Sequence, residues 1–456
     1  MSKVFVVGAT GVVGWRAVRD LVKAGHDVTA VARTPAKAAT LRELGATPVS
    51  VDVFDAAAVK EAVAGHDVVA NLATHIPPTW KMAMPKAWDE NDRIRREVSR
   101  NLVDAALATG AERYIQESIA FMYGDHGAEW IDEETPLAPV PYVQSAVEGE
   151  DQARRFTDGG GTGIVLRFGG FYGPDSGQTR DMVRAARAHL APALGSRDSY
   201  FPALHLDDAG SAVVAALDAP AGTYNVVGDA LTWGEQMDAL AGAVGVRRLA
   251  FPPAAGVKMA GKAAALMQRS ERVSSAKFKK ATGWEPAYPS SRDGWPAVVR
   301  QIGQTPKVSK LARILLLFIL IPTLELGVWA TLAPQSFFKS FPGGGQHWVA
   351  VDGPFNEHLV RDFGALNLAV ALVLIVALVV GSRLLATTAA GAALVFALPH
   401  TLYHLFNLQV FSGSDKFANV VSLAITVVLP IAVIWSAQRT QMTSVASSSR
   451  ASVASP

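Results

Sequence analysis

The chain has 456 residues, of which 50% are hydrophobic and 18% are charged, and its formal net charge at pH 7 is +2. This length predicts two or more domains, and the small net charge, without a basic stripe interleaved with aromatic residues, argues against nucleic-acid binding. The absence of cysteine excludes disulfides and thiolate metal sites. The first predicted strand begins within a few residues of the N-terminus, so we expect no cleavable signal peptide and a first domain that remains in the cytoplasm.

The N-terminal stretch Lys3 to Gly14, KVFVVGATGVVG, predicts a strand, a tight turn and the start of a helix. Its glycines are Gly8, Gly11 and Gly14, and the helix-compatible Trp15 to Ala24 follows. In such a unit the first glycine permits the turn, the second lets the backbone approach a pyrophosphate, and the third lets the helix pack on the strand. We therefore predict a nucleotide-binding turn. The alternative is a glycine-rich turn without a ligand.

Strand and helix signals alternate after this turn, which predicts an α/β fold with a doubly wound parallel sheet. The spacing G-x-x-G-x-x-G, with Thr10 before Gly11, resembles the extended short-chain dehydrogenase/reductase family, of the NAD-dependent epimerase/dehydratase-like kind. The chain resembles an atypical member over roughly residues 3–300. The resemblance implies a Rossmann-type NAD(P)-binding domain over residues 1–300, with a small C-terminal substrate lobe.

The end of the second apolar run decides which nicotinamide cofactor is expected. Val28 to Ala32 is followed by Arg33, without an acid at the strand end. NAD-selective enzymes place an acid here to bond the ribose hydroxyls, whereas an arginine suits the 2′-phosphate of NADP. We therefore predict NADP, with NAD the less favoured cofactor. The alternative is that Arg33 is a solvated surface residue.

Two further strand ends are predicted to face the cofactor. In the resembled family an Asp followed by an apolar residue touches the adenine, and Asp52-Val53 closes the predicted third strand, Thr47 to Val53. The fourth predicted strand, Asp67 to Ala73, ends over the cofactor. The predicted cofactor-binding residues are Gly8, Thr10, Gly11, Val12, Val13, Gly14, Arg33, Asp52, Val53, Leu72, Ala73 and Tyr142. No metal ligands are assigned to this domain.

Two segments resemble the catalytic part of the family, and each departs from its pattern. Arg113 to Gly124 resembles the strand that bears a catalytic Ser or Thr, but Ile119 stands at that position and Ser118 one residue earlier. Pro141 to Ala146 resembles the Tyr-x-x-x-Lys segment, with Tyr142 present and alanine at the lysine position. The resemblance assigns proton donation to Tyr142 and orientation of the substrate oxygen to Ser118.

The alanine at position 146 limits the chemistry expected of Tyr142. An unperturbed tyrosine has a pKa of about 10, and in this chemistry a neighbouring ammonium group lowers that pKa and bonds the nicotinamide ribose. Without it, neutral Tyr142 can donate a proton but is poorly suited to act as a base at about pH 7. The alternative is that Tyr142 is a packed aromatic residue near the cofactor.

Two helices carry charged residues whose positions the sequence predicts. Ala87 to Thr109 is predicted as one long helix, and Asp207 or Asp208 is predicted to cap the helix within Ala203 to Leu217. The long helix has a basic face with Arg93, Arg96 and Arg100, and an apolar face with Ile94, Val98, Leu102 and Ala105.

Residues 301–310, QIGQTPKVSK, are predicted to be a polar linker, and four apolar stretches follow. They are Leu311 to Leu332, Phe363 to Val380, Leu384 to Leu405 and Phe417 to Ala437. Each is close to the ~20 residues that cross a bilayer as a helix. We predict an all-α, four-helix transmembrane domain over 311–438 and a disordered tail over 439–456. A buried soluble bundle is the alternative for the second and third stretches.

The charges around these stretches predict their orientation. Six Lys or Arg residues lie on the side of the N-terminus and three on the opposite side, which predicts a multi-pass protein of the cell membrane with both termini in the cytoplasm. The six are Lys307, Lys310, Arg313, Arg383, Arg439 and Arg450, and the three are Lys339, Arg361 and Lys416. In size and topology alone, the module resembles small DoxX-like four-helix membrane proteins.

Polar residues within the apolar region form a second candidate site. Glu325 lies near the middle of the first stretch, where an ionisable group usually faces a partner or cavity. His400 and His404 share one helical face of the third stretch, and the external loop adds Asn356 to His358 and Arg361-Asp362. They predict a proton relay, a metal or haem site, or a polar pocket for a quinone or lipid head group. Interhelical hydrogen bonding with interfacial anchoring is the alternative.

Two functions remain open from the sequence. The first is a membrane-tethered, NADP-dependent oxidoreductase or epimerase-like enzyme that acts on a lipid, isoprenoid, quinone or sugar derivative at the cytoplasmic face. The second is a catalytically impaired sensor that binds NADP(H) and regulates its own membrane bundle. The retained Tyr142 favours the enzyme, whereas Ile119 and Ala146 favour the sensor. The sequence does not identify a protein partner.

Overall fold

The computed structural model describes residues 1–78, 81–82, 84–193, 195–252, 267–303, 308–351, 353–411 and 413–453. The side chains of Tyr142 and of residues 437–453 lie outside this described part. The chain divides into two compact units, Met1–Gly303 and Gln304–Pro456. Residues 304–307 of the predicted linker are not among the described residues, and the predicted domain boundaries stay predictions.

The first unit is built on a parallel sheet. Its described strands are β1 (Lys3–Val7), β2 (Asp27–Val31), β3 (Thr47–Val49), β4 (Val68–Asn71), β5 (Arg113–Ile119), β6 (Trp130–Ile131), β7 (Thr162–Phe168), β8 (Gly170–Tyr172), β9 (Ala203–His205), β10 (Gly222–Val226) and β11 (Arg272–Val273). Seven of them form one sheet in the order β10-β7-β5-β4-β1-β2-β3, with every neighbouring pair parallel. The order reverses at β1, as in doubly wound sheets.

Helices connect these strands. The described helices of the unit are α1 (Gly14–Lys23), α2 (Pro35–Glu43), α3 (Ala56–Val63), α4 (Asp89–Arg93), α5 (Ser99–Thr109), α6 (Gln144–Asp158), α7 (Gly177–Arg187), α8 (Leu206–Ala215), α9 (Trp233–Val244), α10 (Ala276–Thr282) and α11 (Ser291–Gly303). With the sheet they confirm the predicted Rossmann-type α/β fold. A separate apolar cluster, supplied largely by α7, α9 and α11, forms the core of the C-terminal lobe.

Apolar layers cover both faces of the sheet. Successive side chains of a strand point to opposite faces, and along β1 they join two different clusters. Val4 and Val6 pack in the cluster that includes α1 and α8, whereas Phe5 and Val7 pack in the cluster that includes α3 and α5. Burial on both faces explains why the parallel strands read as continuous apolar runs.

The third strand is shorter than the sequence predicts. β3 ends at Val49, and the chain turns at Asp52, whose Oδ1 accepts a hydrogen bond from the backbone N–H of Phe54 at 3.0 Å. Asp55 then caps α3 by accepting from two backbone N–H groups of its first turn. Asp52 and Val53 therefore lie in a turn after the strand and not at its end.

The fourth strand is also shorter at its end. β4 stops at Asn71, whose buried amide donates to Ser99 Oγ and Gln116 Oε1, both at 3.1 Å. Its Oδ1 accepts from the backbone N–H of Ala73 at 3.3 Å. Leu72 and Ala73 consequently begin the loop that follows the strand.

The long helix predicted over Ala87 to Thr109 contains an irregular turn. A 3₁₀ turn, Pro85–Trp88, leads into α4, and a π-helical segment, Ile94–Val98, joins α4 to α5. A π turn holds one more residue than an α turn, so it changes which side chains face inward. Arg95, absent from both predicted faces, is only 2% exposed. The three arginines of the predicted basic face are exposed and the predicted apolar face is buried, whereas the sequence pattern assigns Arg95 to neither face.

The second unit is helical in its described part. Its helices are α12 (Lys310–Leu332), α13 (Pro334–Ser340), α14 (Glu357–Val380), α15 (Arg383–Phe406) and α16 (Gly413–Val453). Four segments, α12, α14, α15 and Gly413–Ser436, are long and apolar enough to cross a membrane. Small alanines of α15, among them Ala386, Ala389 and Ala390, pack in the shared core of these helices, as is common where membrane helices approach closely.

α16 extends into the segment that the sequence predicts as a tail. The helical backbone continues to Val453, whereas the sequence predicts disorder over 439–456. Side chains from residue 437 onward and the last three residues lie outside the described part. The state of this tail therefore stays a prediction.

Candidate cofactor site and its buried support

The turn between β1 and α1 is closed by two glycines that packing requires. Gly8 has φ +78°, and a Cβ built on it would lie 2.4 Å from the backbone carbonyl carbon of Leu72. A Cβ on Gly14 would lie 2.0 Å from the backbone oxygen of Gly8. Contacts this short do not occur, so both positions need glycine for the backbone segments to meet.

Gly11 differs from these two glycines. It is exposed, and the nearest described atom to a Cβ there would be the backbone oxygen of Gly8 at 3.2 Å. Packing among the described residues thus requires glycine at this position only weakly. A side chain at Gly11 would instead fill the open space above the turn, which is the space that a pyrophosphate bound at this turn would need.

The start of α1 has no side-chain cap in the described structure. Its N-cap residue is Val13, which provides no side-chain hydrogen bond to the first turn. The first N–H groups of a helix lack partners within the helix, and they carry the positive end of its dipole. Val12, beside them, is 38% exposed. Together with Thr10 and Gly11, these residues form a cradle that fits a phosphate group.

The other predicted cofactor residues lie at the same edge of the sheet. Arg33 follows β2, the neighbour of β1, and its exposed guanidinium makes no hydrogen bond or ion pair with any described residue. Asp52 is exposed and Val53 half-buried in the turn after β3, while Leu72 and Ala73 follow β4. The structure thus brings the carboxyl ends of β1 to β4 together, which is where doubly wound sheets bind ligands.

The predicted catalytic segment is only partly described. Tyr142 lies on the 3₁₀ turn Pro141–Val143 that precedes α6, but its side chain is outside the described part. Ala146 is 1% exposed and packs in an apolar cluster with Met122 and Val143. The position that holds an ammonium group in the resembled family is therefore occupied here by a core side chain.

Ser118 lies in the interior at the end of β5. It is fully buried, and its Oγ donates a hydrogen bond to Glu150 Oε1 at 2.6 Å. The same carboxylate accepts from Arg167 through Nε at 2.8 Å and Nη2 at 2.7 Å. The hydroxyl proton of Ser118 is thus committed to a carboxylate, and the structure places this residue in a buried network and not at an open surface.

The network continues across the sheet toward β10. Arg167 Nη1 donates to the hydroxyl of Tyr123 at 2.7 Å, and that hydroxyl donates to Asn225 Oδ1 at 2.6 Å. Burial raises the pKa of Tyr123 to about 12, so its hydroxyl stays a neutral donor at physiological pH. Every charged member of this chain of contacts has a partner, as interior charges require.

A second buried ion pair lies beside the first and was missed from the sequence. Arg95 of the π turn donates from Nη2 to both carboxylate oxygens of Glu117, at 3.1 and 3.2 Å. Both side chains are at most 6% exposed. One signal was available: Glu117 belongs to a central strand covered on both faces, where a charged residue needs an interior partner.

Arg16 joins the first turn of α1 to two later segments, and it was also missed. It is 2% exposed and donates to both carboxylate oxygens of Asp175, at 2.7 and 2.9 Å, and to Asp207 Oδ1 at 2.6 Å. Asp175 follows β8 and Asp207 lies in the first turn of α8. The cradle is therefore tied to the loops beside it by one bidentate ion pair.

The predicted capping role of Asp207 or Asp208 was wrong. The N-cap of α8 is His205, whose Nδ1 accepts from the backbone N–H of Asp207 at 3.2 Å. Asp208 instead accepts from the backbone N–H groups of Ala287 and Tyr288, at 2.6 and 3.1 Å. Burial raises the pKa of Asp208 to about 6.

Glu271 is a further buried acid that the sequence did not single out. It is 3% exposed, and Oε1 accepts from the backbone N–H of Gly124 at 3.1 Å. Burial raises the pKa of Glu271 to about 8. It joins the segment after β5 to the closing segment of the unit as a largely neutral carboxyl group.

The polar residues of the second unit do not form one cluster. Glu325 is exposed on α12, and the rings of His400 and His404 are 4.7 Å apart on α15. The loop residues pair locally, His358 with Asp362 at 3.4 Å and Arg361 with Glu357 at 2.8 Å. Among the described residues, no group of three or more His, Asp or Glu side chains is placed to hold a metal ion.

Comparisons with known proteins agree with this architecture. Residues 4–227 match the NAD dependent epimerase/dehydratase family. The chain is similar to a 3-diazoavenalumate denitrifying reductase of Streptomyces sp., with 33% identity over 308 residues that cover 64% of this chain and 98% of the relative.

Two solved structures share the fold. One is the UDP-glucose 4-epimerase of Thermus thermophilus in complex with NAD, with a TM-score of 0.54 and 22% identity, covering 67% of this chain and all of that one. The other is the human epimerase family protein SDR39U1 with NADPH, with a TM-score of 0.54 and 21% identity, covering 65% of this chain and 99% of that one. The glycine cradle, the sheet order and the near-complete span of the reductase lead to one conclusion: the chain belongs to the NAD-dependent epimerase/dehydratase family.

Proposed function

We propose that this protein is a membrane-anchored reductase that uses NADPH to reduce a carbonyl group of a small molecule or lipid at the cytoplasmic face. The observation that carries the proposal is the open cradle above Gly11, with Arg33, which has no partner among the described residues, just after the neighbouring strand. The family membership supports a nicotinamide cofactor, and similar proteins are named with NAD in one case and NADPH in the other. The similar protein of Streptomyces sp. is itself a reductase by name.

Arg33 supports NADPH over NADH. Its exposed guanidinium has five donors and no protein partner among the described residues, which suits a phosphate on the adenine ribose. An acid at this position would bond the ribose hydroxyls instead. Asp52 and Val53, Leu72 and Ala73 remain proposed contacts to the adenine and to the centre of the cofactor.

The missing lysine favours carbonyl reduction in this proposal, because a neutral tyrosine starts as a proton donor. When bound, the nicotinamide would supply a hydride to the carbonyl carbon. The chain's own part is the proton that neutral Tyr142 would give to the carbonyl oxygen, and the tyrosinate left behind would regain a proton from water. Oxidation would need the tyrosinate, which the apolar surroundings of Ala146 do not stabilise. Ser118, whose hydroxyl donates to Glu150, would help to hold β5 against α6 beneath the site and would not touch the substrate.

The second unit supports a membrane location. Four helices are long and apolar enough to cross a bilayer, and the excess of Lys and Arg on one side favours a cytoplasmic first unit. An enzyme held at the membrane surface meets apolar substrates where they are concentrated. We therefore favour the carbonyl groups of lipids, isoprenoids and quinones over those of soluble sugar derivatives as substrates.

Arg33→Ala tests the cofactor proposal. We expect it to weaken NADPH binding about tenfold or more, because charge-assisted hydrogen bonds to a phosphate contribute about 1.5–3 kcal/mol, and to leave NADH binding unchanged. The measurement is a fluorescence titration of the full-length protein in lipid nanodiscs. Arg42→Ala is the matched control, since Arg42 is an exposed arginine of α2. Equal affinity of the wild type for both nucleotides would overturn the preference for NADPH, and no binding of either would overturn the proposed function.

A topology experiment tests the membrane proposal. We expect reporter fusions after Gly344 and Gly413 to be read outside the membrane and a fusion after Ser382 to be read inside. The reason is that three helix-connecting segments alternate between the two sides if all four apolar helices cross the bilayer. Fusions that all report the same side would contradict the four-span arrangement.

A second candidate function, sensing of NADP(H), is favoured by the packing of Ala146 in an apolar cluster. A sensor would bind the nucleotide without consuming it. NADPH consumption on a panel of lipid and sugar carbonyls separates the two functions. Turnover that Tyr142→Phe removes, with nucleotide affinity retained, supports the reductase, and binding without any turnover supports the sensor.

A further inference from the structure

The first membrane helix presents an ionisable group on its outer surface. Glu325 is exposed on α12, and its carboxyl makes no hydrogen bond or ion pair with any described residue. Seven residues separate it from the end of the helix at Leu332, which places it about 10 Å inside that end at about 1.5 Å per residue. On a helix that crosses a bilayer, this depth lies within the hydrocarbon region.

The surroundings of Glu325 form one continuous stripe. Residues spaced three and four apart share a helical face, and the apolar members of this face are all 41–76% exposed. The stripe, called here the α12 stripe, consists of Ile314, Phe318, Ile321, Glu325, Val328 and Leu332. The opposite face of the helix is the packed one, with Leu316 and Ala330 fully buried. Within the described part of the unit, no residue therefore covers the carboxyl group.

A lone carboxyl group facing lipid is costly, so such groups nearly always meet a partner. Depth disfavours a cationic partner from a second copy of this chain, because the Lys and Arg residues whose side chains are described in this unit lie within two turns of a helix end or in short connecting segments. These are Lys310, Arg313, Lys339, Arg361, Arg383 and Lys416. What a second copy does offer at the depth of Glu325 is its own Glu325.

We propose that two copies of this protein associate through their α12 stripes, with the two Glu325 carboxyl groups hydrogen-bonded to each other. A protonated carboxyl group is both donor and acceptor, so two of them satisfy each other across a two-fold axis. Both copies have the same orientation in the membrane, so this axis runs along the membrane normal and brings each stripe residue near its own counterpart. Such self-complementary two-fold contacts are the commonest way for identical subunits to associate.

The proposal rests on the membrane location given under the proposed function. The test uses the full chain in native membranes, where the natural lack of cysteine makes every introduced cysteine a single reporter. Ile321→Cys and Val328→Cys lie on the stripe on either side of Glu325. Val395→Cys is the matched control, because Val395 is 76% exposed near the middle of another apolar helix.

We expect oxidation to convert most of the Ile321→Cys and Val328→Cys chains to covalent dimers, and Val395→Cys at least tenfold less. Adding Glu325→Leu should abolish the cross-link at position 321, whereas Glu325→Gln, whose amide both donates and accepts, should retain it. Equal cross-linking at all three cysteines, none at the stripe, or no effect of Glu325→Leu would each overturn the proposal. Alkaline extraction of the same membranes tests the membrane location and the dimer separately. Release of the chain would overturn the membrane location, whereas a chain that is retained but not cross-linked would overturn the dimer alone.

Discussion

Gly11→Val is expected to abolish nucleotide binding while the first unit stays folded. The valine side chain would occupy the open space above the turn, where the proposed pyrophosphate meets the N-terminus of α1. A steric block of this kind should raise the Kd for NADPH at least ~100-fold, which corresponds to about 2.8 kcal/mol. The measurement is the same nanodisc titration, with far-ultraviolet circular dichroism of both proteins to establish that the fold is retained.

The matched control for this prediction is Gly177→Val. Gly177 also begins a helix, α7, and a Cβ there would meet no described atom within 4 Å. It should bind NADPH as the wild type does. Unchanged binding by Gly11→Val would mean that the cradle does not hold the nucleotide, and equal losses in both variants would point to a general effect of valine at helix starts.

Glu150→Leu is expected to cause the largest loss of stability in the first unit. It leaves the guanidinium of Arg167 buried, at 6% exposure, without its carboxylate partner. Breaking a buried ion pair by removing one partner typically costs about 3–5 kcal/mol. It also removes the acceptor of the Ser118 hydroxyl. The effect should appear as a strongly lowered Tm of the detergent-solubilised full-length protein, followed by intrinsic fluorescence.

Two further variants make this result interpretable. Asp151→Ala removes the neighbouring exposed pair with Arg154 and should change stability by no more than about 1 kcal/mol. The double variant Glu150→Leu with Arg167→Leu should recover part of the loss, because no charge is then left unpaired and the Tyr123 hydroxyl still has Asn225 as its acceptor. A double variant as unstable as the sum of both single ones would show that the two residues are not energetically coupled.

The fold of the first unit followed from the sequence because its signals are local and repeated. Each parallel strand is an apolar run, and the turn at Gly8 and Gly14 has a backbone requirement that only glycine meets. The strand ends were harder to predict. β3 and β4 stop early because the side chains of Asp52 and Asn71 accept hydrogen bonds from backbone N–H groups just beyond the strands. Such competition between side chains and the strand ladder leaves little trace in the hydrophobic pattern of a sequence.

The candidate site was predictable only on its cofactor side. That side consists of main-chain groups and strand ends, which the glycine spacing and the strand pattern reveal. The support beneath it depends on pairs far apart in the sequence, such as Arg95 with Glu117 and Glu150 with Arg167. Ser118 was assigned from its place in a strand, but whether its hydroxyl meets solvent or a carboxylate depends on α6, which packs against that strand only in the folded chain.

The π turn at Ile94–Val98 has a consequence for changes in chain length. Such a turn holds one residue more than a turn of α-helix. The side chains of the segments on either side of it are therefore rotated about the helix axis, relative to a regular helix, by about a quarter of a turn or more. Shortening the segment by one residue would let the helix run on regularly, but it would rotate Arg95 relative to α5 and separate it from Glu117. Natural or engineered deletions should therefore be tolerated far better in the loops that flank this helix than within it, although the five residues of the turn read as ordinary helix.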